Sequence, residues 1–283
     1  MLTPRFHCPQ AVPGLARGSR VELPPDAAHH ALRVLRLGEG QAVAVFCGHG
    51  GEYEAVLEAA RGKSAQVLLG TFHADDRVPR IDVHVQQAVV ATEKMDWVVE
   101  KAVELGARWF TPVLAERSVV RLSGERAAKR AAHWQALAVS ASEQCGLNRL
   151  LEVRPVQTLD AVCDDLDSGN ALRFMLQPGC EHSLTSELIA AFGTARRSAG
   201  TSAVAAPLSP GAVPQPYISP RSLVLLVGPE GGLSPGEAAR ARVAGYRPVT
   251  LGPRVLRTET AALAALAALR ATIDDFSPAF APQ

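Results

Sequence analysis

The 283-residue chain is long enough for roughly two domains with cores of their own, and a hydrophobic fraction of 47% indicates a globular rather than a disordered protein. The longest uninterrupted apolar stretch, residues 261–269, is far too short to span a membrane. Residues 1–5 lack the apolar core of a signal peptide, so a cytoplasmic location is expected. A formal net charge of +1 gives no sign of nucleic-acid binding, and five cysteines without a C-x-x-C pair predict neither a zinc site nor a disulfide framework.

Residues 1–74 are predicted to form a small β-barrel. The alternating runs 41–46, 52–57 and 64–69 are separated by glycine-containing turns, which is typical of short strands. Residues 25–36 read as a helix with Leu32 and Leu35 directed inward. His29, Arg33 and Arg36 then share one face, which is either a solvated surface or a binding surface.

Beyond a polar joint at residues 75–80, strands and helices alternate, which predicts a parallel sheet with flanking helices. The second domain is placed at residues 80–275. Its predicted elements are, in order, a strand at 81–90, a helix with an apolar stripe from Met95 to Leu105, a strand at 109–114, a helix at 125–143, a strand and a short helix up to 166, and a strand at 172–176. Residues 193–221 are rich in proline and read as a flexible insertion without a catalytic role.

Two glycine-bearing loops are the most informative features of the chain. Residues 226–232 (LVGPEGG) follow an apolar strand at 223–227, and residues 251–261 (LGPRVLRTETA) follow a second at 248–251. Both loops are expected at strand carboxyl ends, where open α/β sheets bind ligands. Their glycines let the backbone approach a flat ligand closely. The loops match neither G-x-G-x-x-G nor a P-loop, and the central Glu230 suits a cationic ligand better than a phosphate.

Together with residues 93–106, the Glu-Gln-Cys-Gly run at 143–146 and residues 30–36, these loops resemble the RsmE family of SPOUT methyltransferases, bacterial 16S ribosomal RNA uridine N3-methyltransferases. The resemblance implies an α/β fold in which a PUA-like RNA-binding β-barrel precedes a SPOUT domain with a trefoil knot. It also implies S-adenosylmethionine as the cofactor, a homodimer, and the 16S ribosomal RNA of the small ribosomal subunit as partner, with uridine 1498 in the standard rRNA numbering as the target.

Methylation of uridine N3 requires that the imide proton be removed and that the resulting negative charge be stabilised; no metal is required. We expect Arg257 to stabilise this charge and Glu230 to orient the methyl donor or accept the proton. Helix capping is an alternative role for Thr258 and Glu259, and an ion pair is one for Arg254. Predicted cofactor-binding residues are Leu176, Gln177, Pro178, Val227, Gly228, Pro229, Glu230, Gly231, Gly232, Leu251, Gly252, Val255, Leu256, Arg257, Thr260 and Ala261. Predicted RNA-binding residues are Arg33, Arg36, Asn148 and Arg149.

Two positions depart from the family pattern. Leu147 stands where an arginine often follows Glu-Gln-Cys-Gly, which leaves the polar role there to Asn148 and Arg149, and Gln177 stands where histidine is frequent before Pro178. Two alternatives remain open: a SPOUT enzyme that methylates the ribose 2′-oxygen, and an inactive RNA-binding assembly factor, which the intact loops disfavour. A dehydrogenase is disfavoured because the glycine fingerprint is absent.

Overall fold

A computed structural model describes residues 3–61, 64–74, 77–165, 171–192, 222–273 and 275–276. The predicted insertion at 193–221 and two residues of the predicted joint lie outside these ranges. The described elements form two β-sheets, one at the amino terminus and one after the joint. No helix within the described ranges is long and apolar enough to cross a membrane.

The amino-terminal sheet has five strands in the order β1-β3-β4-β5-β2, which confirms the prediction of a β-rich first segment. Phe6, Val45, Tyr53 and Leu57 pack at its core, and every second residue of β5 is buried at its start, as expected for a strand with one face inward. The bounds are β1 (Arg5–His7), β2 (Arg20–Glu22), β3 (Ala42–Phe46), β4 (Glu52–Arg61) and β5 (Ser64–His73).

The helix predicted at residues 25–36 is shorter and changes character within that range. Helix α1 (Pro25–His29) runs into a π-helical turn at His30–Val34, closed by the Leu35 N–H donating to the His30 carbonyl at 2.9 Å. The wider turn changes the angular spacing of the side chains, so Leu35 is 42% exposed and its predicted inward position is wrong. Leu32 packs against the core as predicted.

The second sheet is parallel throughout, with the order β12-β10-β11-β6-β7-β8 and with β9 also beside β7. This confirms the predicted parallel sheet, although the last strand ends two residues before the predicted position at 251. The bounds are β6 (Asp82–Ala88), β7 (Trp109–Leu114), β8 (Glu152–Val153), β9 (Gln157–Thr158), β10 (Leu172–Leu176), β11 (Ser222–Val227) and β12 (Arg247–Val249).

Helices cover both faces of the parallel sheet. Leu223 and Leu225 of β11 face the larger core, which α2, α3, α5 and α7 complete, whereas Val224 and Leu226 face a smaller core completed by α4 and α6. This alternation is what a strand buried on both faces requires. The bounds are α2 (Thr92–Glu104), α3 (Gly124–Cys145), α4 (Leu159–Asp164), α5 (Leu184–Phe192), α6 (Pro235–Val243) and α7 (Thr258–Thr272).

The carboxyl end of α3 and the loop after it are joined to the amino-terminal sheet by partly buried polar contacts. Arg5 of β1 pairs with Glu52 in its own sheet and donates from Nη2 to the Asn148 Oδ1 at 2.6 Å. The backbone N–H of His7 donates to Oε1 of Glu143 at 2.8 Å. Because these groups are partly buried, each contact also satisfies a polar atom that the interface removes from water.

Candidate active site

A cavity of about 380 Å³ opens at the carboxyl ends of β10, β11 and β12. The loops that follow these three strands are the two glycine-bearing loops and the turn at Gln177, so the structure brings the three predicted segments together. The cavity volume is in the range of small-molecule sites. Apolar side chains, including Leu176, Val227 and Leu256, supply much of the wall, which suits the flat face of a nucleobase.

Most residues predicted to bind a cofactor line this cavity: Leu176, Gln177, Pro178, Val227, Gly228, Pro229, Glu230, Gly232, Leu251, Val255, Leu256, Arg257 and Ala261. Gly231, Gly252 and Thr260 are not among the lining residues. Gly231 faces Arg117 instead, whose Nη1 donates to the Gly231 carbonyl at 2.8 Å. The Gly252 carbonyl accepts a hydrogen bond from Thr250, and Thr260 is exposed on the first turn of α7.

Five further residues line the cavity: Lys94, Val249, Thr250, Arg254 and Thr258. Lys94 is on α2, more than 130 residues from Glu230 in sequence, so its proximity follows from the packing of the fold. In the sequence, the only indication of a role for Lys94 is its place in segment 93–106, which resembles the RsmE family.

Two linked hydrogen bonds fix the position of the loop at residues 226–232. The Thr258 hydroxyl donates to the Gly228 carbonyl at 2.6 Å and accepts from Nε2 of Gln87 at 2.9 Å. A Cβ atom added at Gly228 would lie 3.2 Å from the Leu233 backbone nitrogen, so no side chain fits there without displacing the loop. Gly232 adopts φ +66°, a conformation that favours glycine. The backbone of this loop therefore forms the floor of the cavity.

The start of α7 does not use side-chain capping. Arg257 occupies the N-cap position and makes no capping hydrogen bond, and the Thr258 hydroxyl is engaged with Gly228. Glu259 is 8% exposed, and its Oε2 lies 3.6 Å from the Lys94 Nζ and has no hydrogen-bond partner among the described residues. The capping alternative for Thr258 and Glu259 is therefore wrong: Thr258 lines the cavity, and Glu259 is buried beside Lys94 without lining it.

Lys94 bridges the carboxylate of Glu230, which lines the cavity, and the buried carboxylate of Glu259. Its Nζ donates to Oε1 of Glu230 at 2.8 Å and is the cation 3.6 Å from Glu259. Partial burial alone would raise the pKa of the Glu230 carboxyl, but the hydrogen bonds from Lys94 and from the backbone outweigh it, so that pKa lies below its usual value. Glu230 is therefore a carboxylate at neutral pH.

Arg254 and Arg257 add two further positive charges to the cavity. Both line the cavity and are exposed, and within the described part of the chain neither guanidinium makes a hydrogen bond or an ion pair. The cavity lining thus holds three cations, Lys94, Arg254 and Arg257, against the one carboxylate of Glu230 among the described residues, with Arg254 and Arg257 open to a ligand. A negative charge that develops here would be stabilised without first breaking an existing pair.

The residues predicted to contact RNA do not share one environment. Arg33, Arg36 and Arg149 are exposed. Asn148 is fully buried, and its Oδ1 accepts the hydrogen bond from Arg5. An RNA-binding role for the Asn148 side chain is therefore a wrong prediction, because the side chain is used to join the loop after α3 to the amino-terminal sheet.

Comparison with known proteins bears on both sheets. A family model described as an RNA methyltransferase domain matches residues 77–270, and one described as an RNA methyltransferase PUA domain matches residues 23–69. A ribosomal RNA small subunit methyltransferase E from Bacillus subtilis is 30% identical over 86% of this chain and 87% of its own. The protein of the same name from Mycobacterium bovis is 32% identical, over 86% and 83% respectively.

The chain belongs to the ribosomal RNA small subunit methyltransferase E family. A crystal structure of a member from Neisseria gonorrhoeae, bound to S-adenosylmethionine, superposes with a TM-score of 0.75 at 30% identity and covers 95% of this chain and 98% of the other. In this chain, the glycine-bearing loops enclose a cavity whose volume suits a small ligand.

Proposed function

We propose that this protein transfers a methyl group from S-adenosylmethionine to N3 of a uridine in the 16S ribosomal RNA of the small ribosomal subunit, at uridine 1498 in the standard numbering. The observation that carries the proposal is the cavity that the loops after β10, β11 and β12 form together. Its apolar walls and the Glu230 carboxylate suit a cationic methyl donor, and Arg254 and Arg257, which have no partner among the described residues, suit an acidic nucleobase.

The residues present fit the cofactor. The backbone from Gly228 to Gly232 and from Leu251 to Leu256 forms the proposed cradle for the adenine and the methionine part, because glycine leaves these surfaces open. Bound S-adenosylmethionine supplies an electrophilic methyl group on a sulfonium cation. Glu230 places a carboxylate on the wall of the same cavity, which would attract that cation.

Arg257 is the proposed stabiliser of the uridine imide charge. Its guanidinium is exposed at the cavity and makes no ion pair among the described residues, so it is available to O2 or O4 of the base. Glu230 is better suited to orienting the donor than to accepting the proton. A carboxyl group with a lowered pKa is a weak base for a weakly acidic imide.

The amino-terminal domain is the proposed RNA-binding module. Its Arg33 and Arg36 are exposed for phosphate contact, as is Arg149 in the loop after α3. If Arg33 and Arg36 make such contacts, replacing both with Glu should weaken binding to small subunits and reduce its salt dependence. Unchanged affinity of the double variant would assign these arginines to a solvated surface.

We also propose a trefoil knot, a homodimer and a cytoplasmic location. The knot is supported by the strand order, in which β11 lies between β10 and β6, and by the return of α7 to pack on α2. The dimer is supported by two exposed apolar residues. Trp97 lies on α2, three residues after the cavity-lining Lys94, and Val255 lines the cavity; they are 42% and 79% exposed. Light scattering tests the dimer, and a monomer would contradict it.

Mass spectrometry of ribosomal RNA from cells with and without the gene tests the proposed reaction. We expect one base-methylated uridine to disappear from the small-subunit RNA when the gene is removed. Loss of a ribose-methylated nucleoside would instead indicate 2′-O-methylation, because the two products fragment differently. An unchanged RNA with a subunit-assembly defect would indicate an inactive assembly factor.

A further inference from the structure

A second cavity, of about 350 Å³, lies at the opposite edge of the parallel sheet. It is formed at the amino ends of β6, β7, β10 and β11, on the face covered by α4 and α6. The six residues that give it its chemistry are His84, Trp109, Arg154, Asp165, Arg173 and Tyr246. The two cavities share no lining residue, and along β11 their lining residues Val224 and Val227 are about 10 Å apart, so the two cavities are distinct.

Two arginines of this cavity are held in place by aromatic rings. The Arg154 guanidinium lies 5.7 Å from the ring centre of Trp109, and that of Arg173 lies 5.6 Å from the ring centre of Tyr246. Arg173 also donates to the carbonyls of Ala244 and Asp165, at 3.2 and 3.0 Å. The ring and these two carbonyls together fix the orientation of the Arg173 guanidinium.

The other polar groups leave the cavity positively charged. Asp165 is the one acidic side chain among the described lining residues, and its Oδ2 lies 3.5 Å from Arg154 Nη1. Burial first, and then the charge of Arg154, lower the pKa of His84 to about 3. Burial raises the pKa of Tyr246 to about 12, and its hydroxyl donates to Gln86 at 2.6 Å. At neutral pH the lining therefore carries two cations against one anion.

We propose that this cavity binds a phosphate group. The planar fork of arginine matches the tetrahedral oxyanion and forms charge-assisted hydrogen bonds to it, and here the two forks are already oriented by their aromatic partners. The cavity is larger than a phosphate ion, which leaves room for the remainder of a phosphomonoester or for a stretch of nucleic-acid backbone. A cationic methyl donor does not suit this cavity, because the positively charged lining repels a cation and attracts an anion.

Indole NMR signals of the full-length protein provide a local test. The chain has three tryptophans, of which only Trp109 lines this cavity, while Trp97 is on α2 and Trp134 is buried on α3. The Trp109→Phe variant assigns the signal. Titration with inorganic phosphate, at ionic strength held constant with sodium chloride, should shift the Trp109 signal saturably. The Trp97 and Trp134 signals should stay in place.

Two substitutions in the cavity should change the affinity for phosphate in opposite directions. Arg154→Gln should weaken phosphate binding about tenfold or more, because a charged donor is lost. Asp165→Asn should strengthen it by removing the competing carboxylate. Arg126→Gln, an exposed arginine on α3, is the matched control and should change nothing. The Trp134 signal reports whether each variant is folded.

A short single-stranded oligoribonucleotide distinguishes the two sources of phosphate. If the oligonucleotide shifts the Trp109 signal and inorganic phosphate displaces it, the ligand is the RNA backbone. If phosphate alone binds, the ligand is a small phosphate compound. The proposal is overturned if neither shifts the Trp109 signal saturably, or if Arg154→Gln and Asp165→Asn bind phosphate as the unaltered protein does.

Discussion

Helix α7 carries an arginine at each end, and the two have opposite surroundings. Arg270, at the amino edge of the sheet, is 1% exposed and donates to the carbonyls of Ile81, Leu105 and Gly106 and to Asp275. Arg257, at the carboxyl edge, is exposed and makes no hydrogen bond or ion pair in the described part of the chain. A cation with all its acceptors in the protein stabilises the fold, whereas a cation facing an open cavity is available to a ligand.

Replacing Arg270 should have the largest effect on stability. Arg270→Met leaves three carbonyls and the Asp275 carboxylate without their buried donor, so we expect the free energy of unfolding to fall by about 3–5 kcal/mol. Urea unfolding measures this change. Arg126→Met, at an exposed position, should stay within about 0.5 kcal/mol of the unaltered protein. Equal stability of the two variants would show that the buried contacts of Arg270 are dispensable.

Arg257→Ala should leave stability nearly unchanged and reduce turnover about 10²–10³-fold, because its charge is needed when the imide becomes anionic. Calorimetry with S-adenosylmethionine, combined with single-turnover methylation of small subunits, separates donor affinity from rate. Arg254→Ala is the matched variant on the same cavity wall and should lose less activity. Equal losses of donor affinity and rate in Arg257→Ala would make Arg257 a cofactor ligand instead.

The adjacent glycines of the first loop provide a finer test. Gly232→Ala places a Cβ on a residue at φ +66°, which costs about 1–2 kcal/mol, so donor affinity should fall by about tenfold as the loop adjusts. In Gly231→Ala the new Cβ meets the Arg117 side chain at 3.4 Å, an ordinary contact, and affinity should hardly change. Calorimetry on both folded variants measures the difference, and equal affinities would remove Gly232 from the cofactor cradle.

The smallest expected effect concerns the ionisation of Glu230. Its pKa in the folded protein is lowered, so its pairing with Lys94 stabilises the fold above the usual carboxyl pKa, and this contribution is lost as the pH falls through the lowered value. Lys94→Met should therefore raise the pKa of Glu230, as followed by carbon NMR of the carboxyl group. Lys101→Met, which removes the partner of Glu104 on the same helix, should leave Glu230 unchanged. A Glu230 pKa that is insensitive to Lys94 would refute the bridge.

The sequence predicted the strands and the converging loops because these depend on local pattern. Mainly apolar runs followed by glycine-containing turns predicted the bounds of β10 and, to within one residue, those of β11. Parallel strands place their carboxyl ends at one edge of the sheet. Leu35 shows where local pattern fails. The residue spacing predicts a regular helix across residues 25–36, whereas the backbone forms a wider π-helical turn from His30 to Val34. The spacing of apolar residues does not reveal this change.

The remaining misses involve partners far apart in the chain. Asn148 is bound by Arg5, 143 residues away, and Arg270 is bound by carbonyls 164 to 189 residues away. Lys94 reaches Glu230 only because α2 packs beside the loop after β11. A buried polar residue and an exposed one look alike in a single sequence, so tertiary contacts decide between a structural and a functional role.

The most direct test of the proposed reaction is methylation of small ribosomal subunits that lack the modification, using the purified protein and S-adenosylmethionine, followed by mass spectrometry of the RNA digested to nucleosides. The account predicts one 3-methyluridine per small subunit, and a strongly reduced yield with Arg257→Ala. Formation of 2′-O-methyluridine, or no methylated nucleoside from a folded protein that binds the donor, would contradict it.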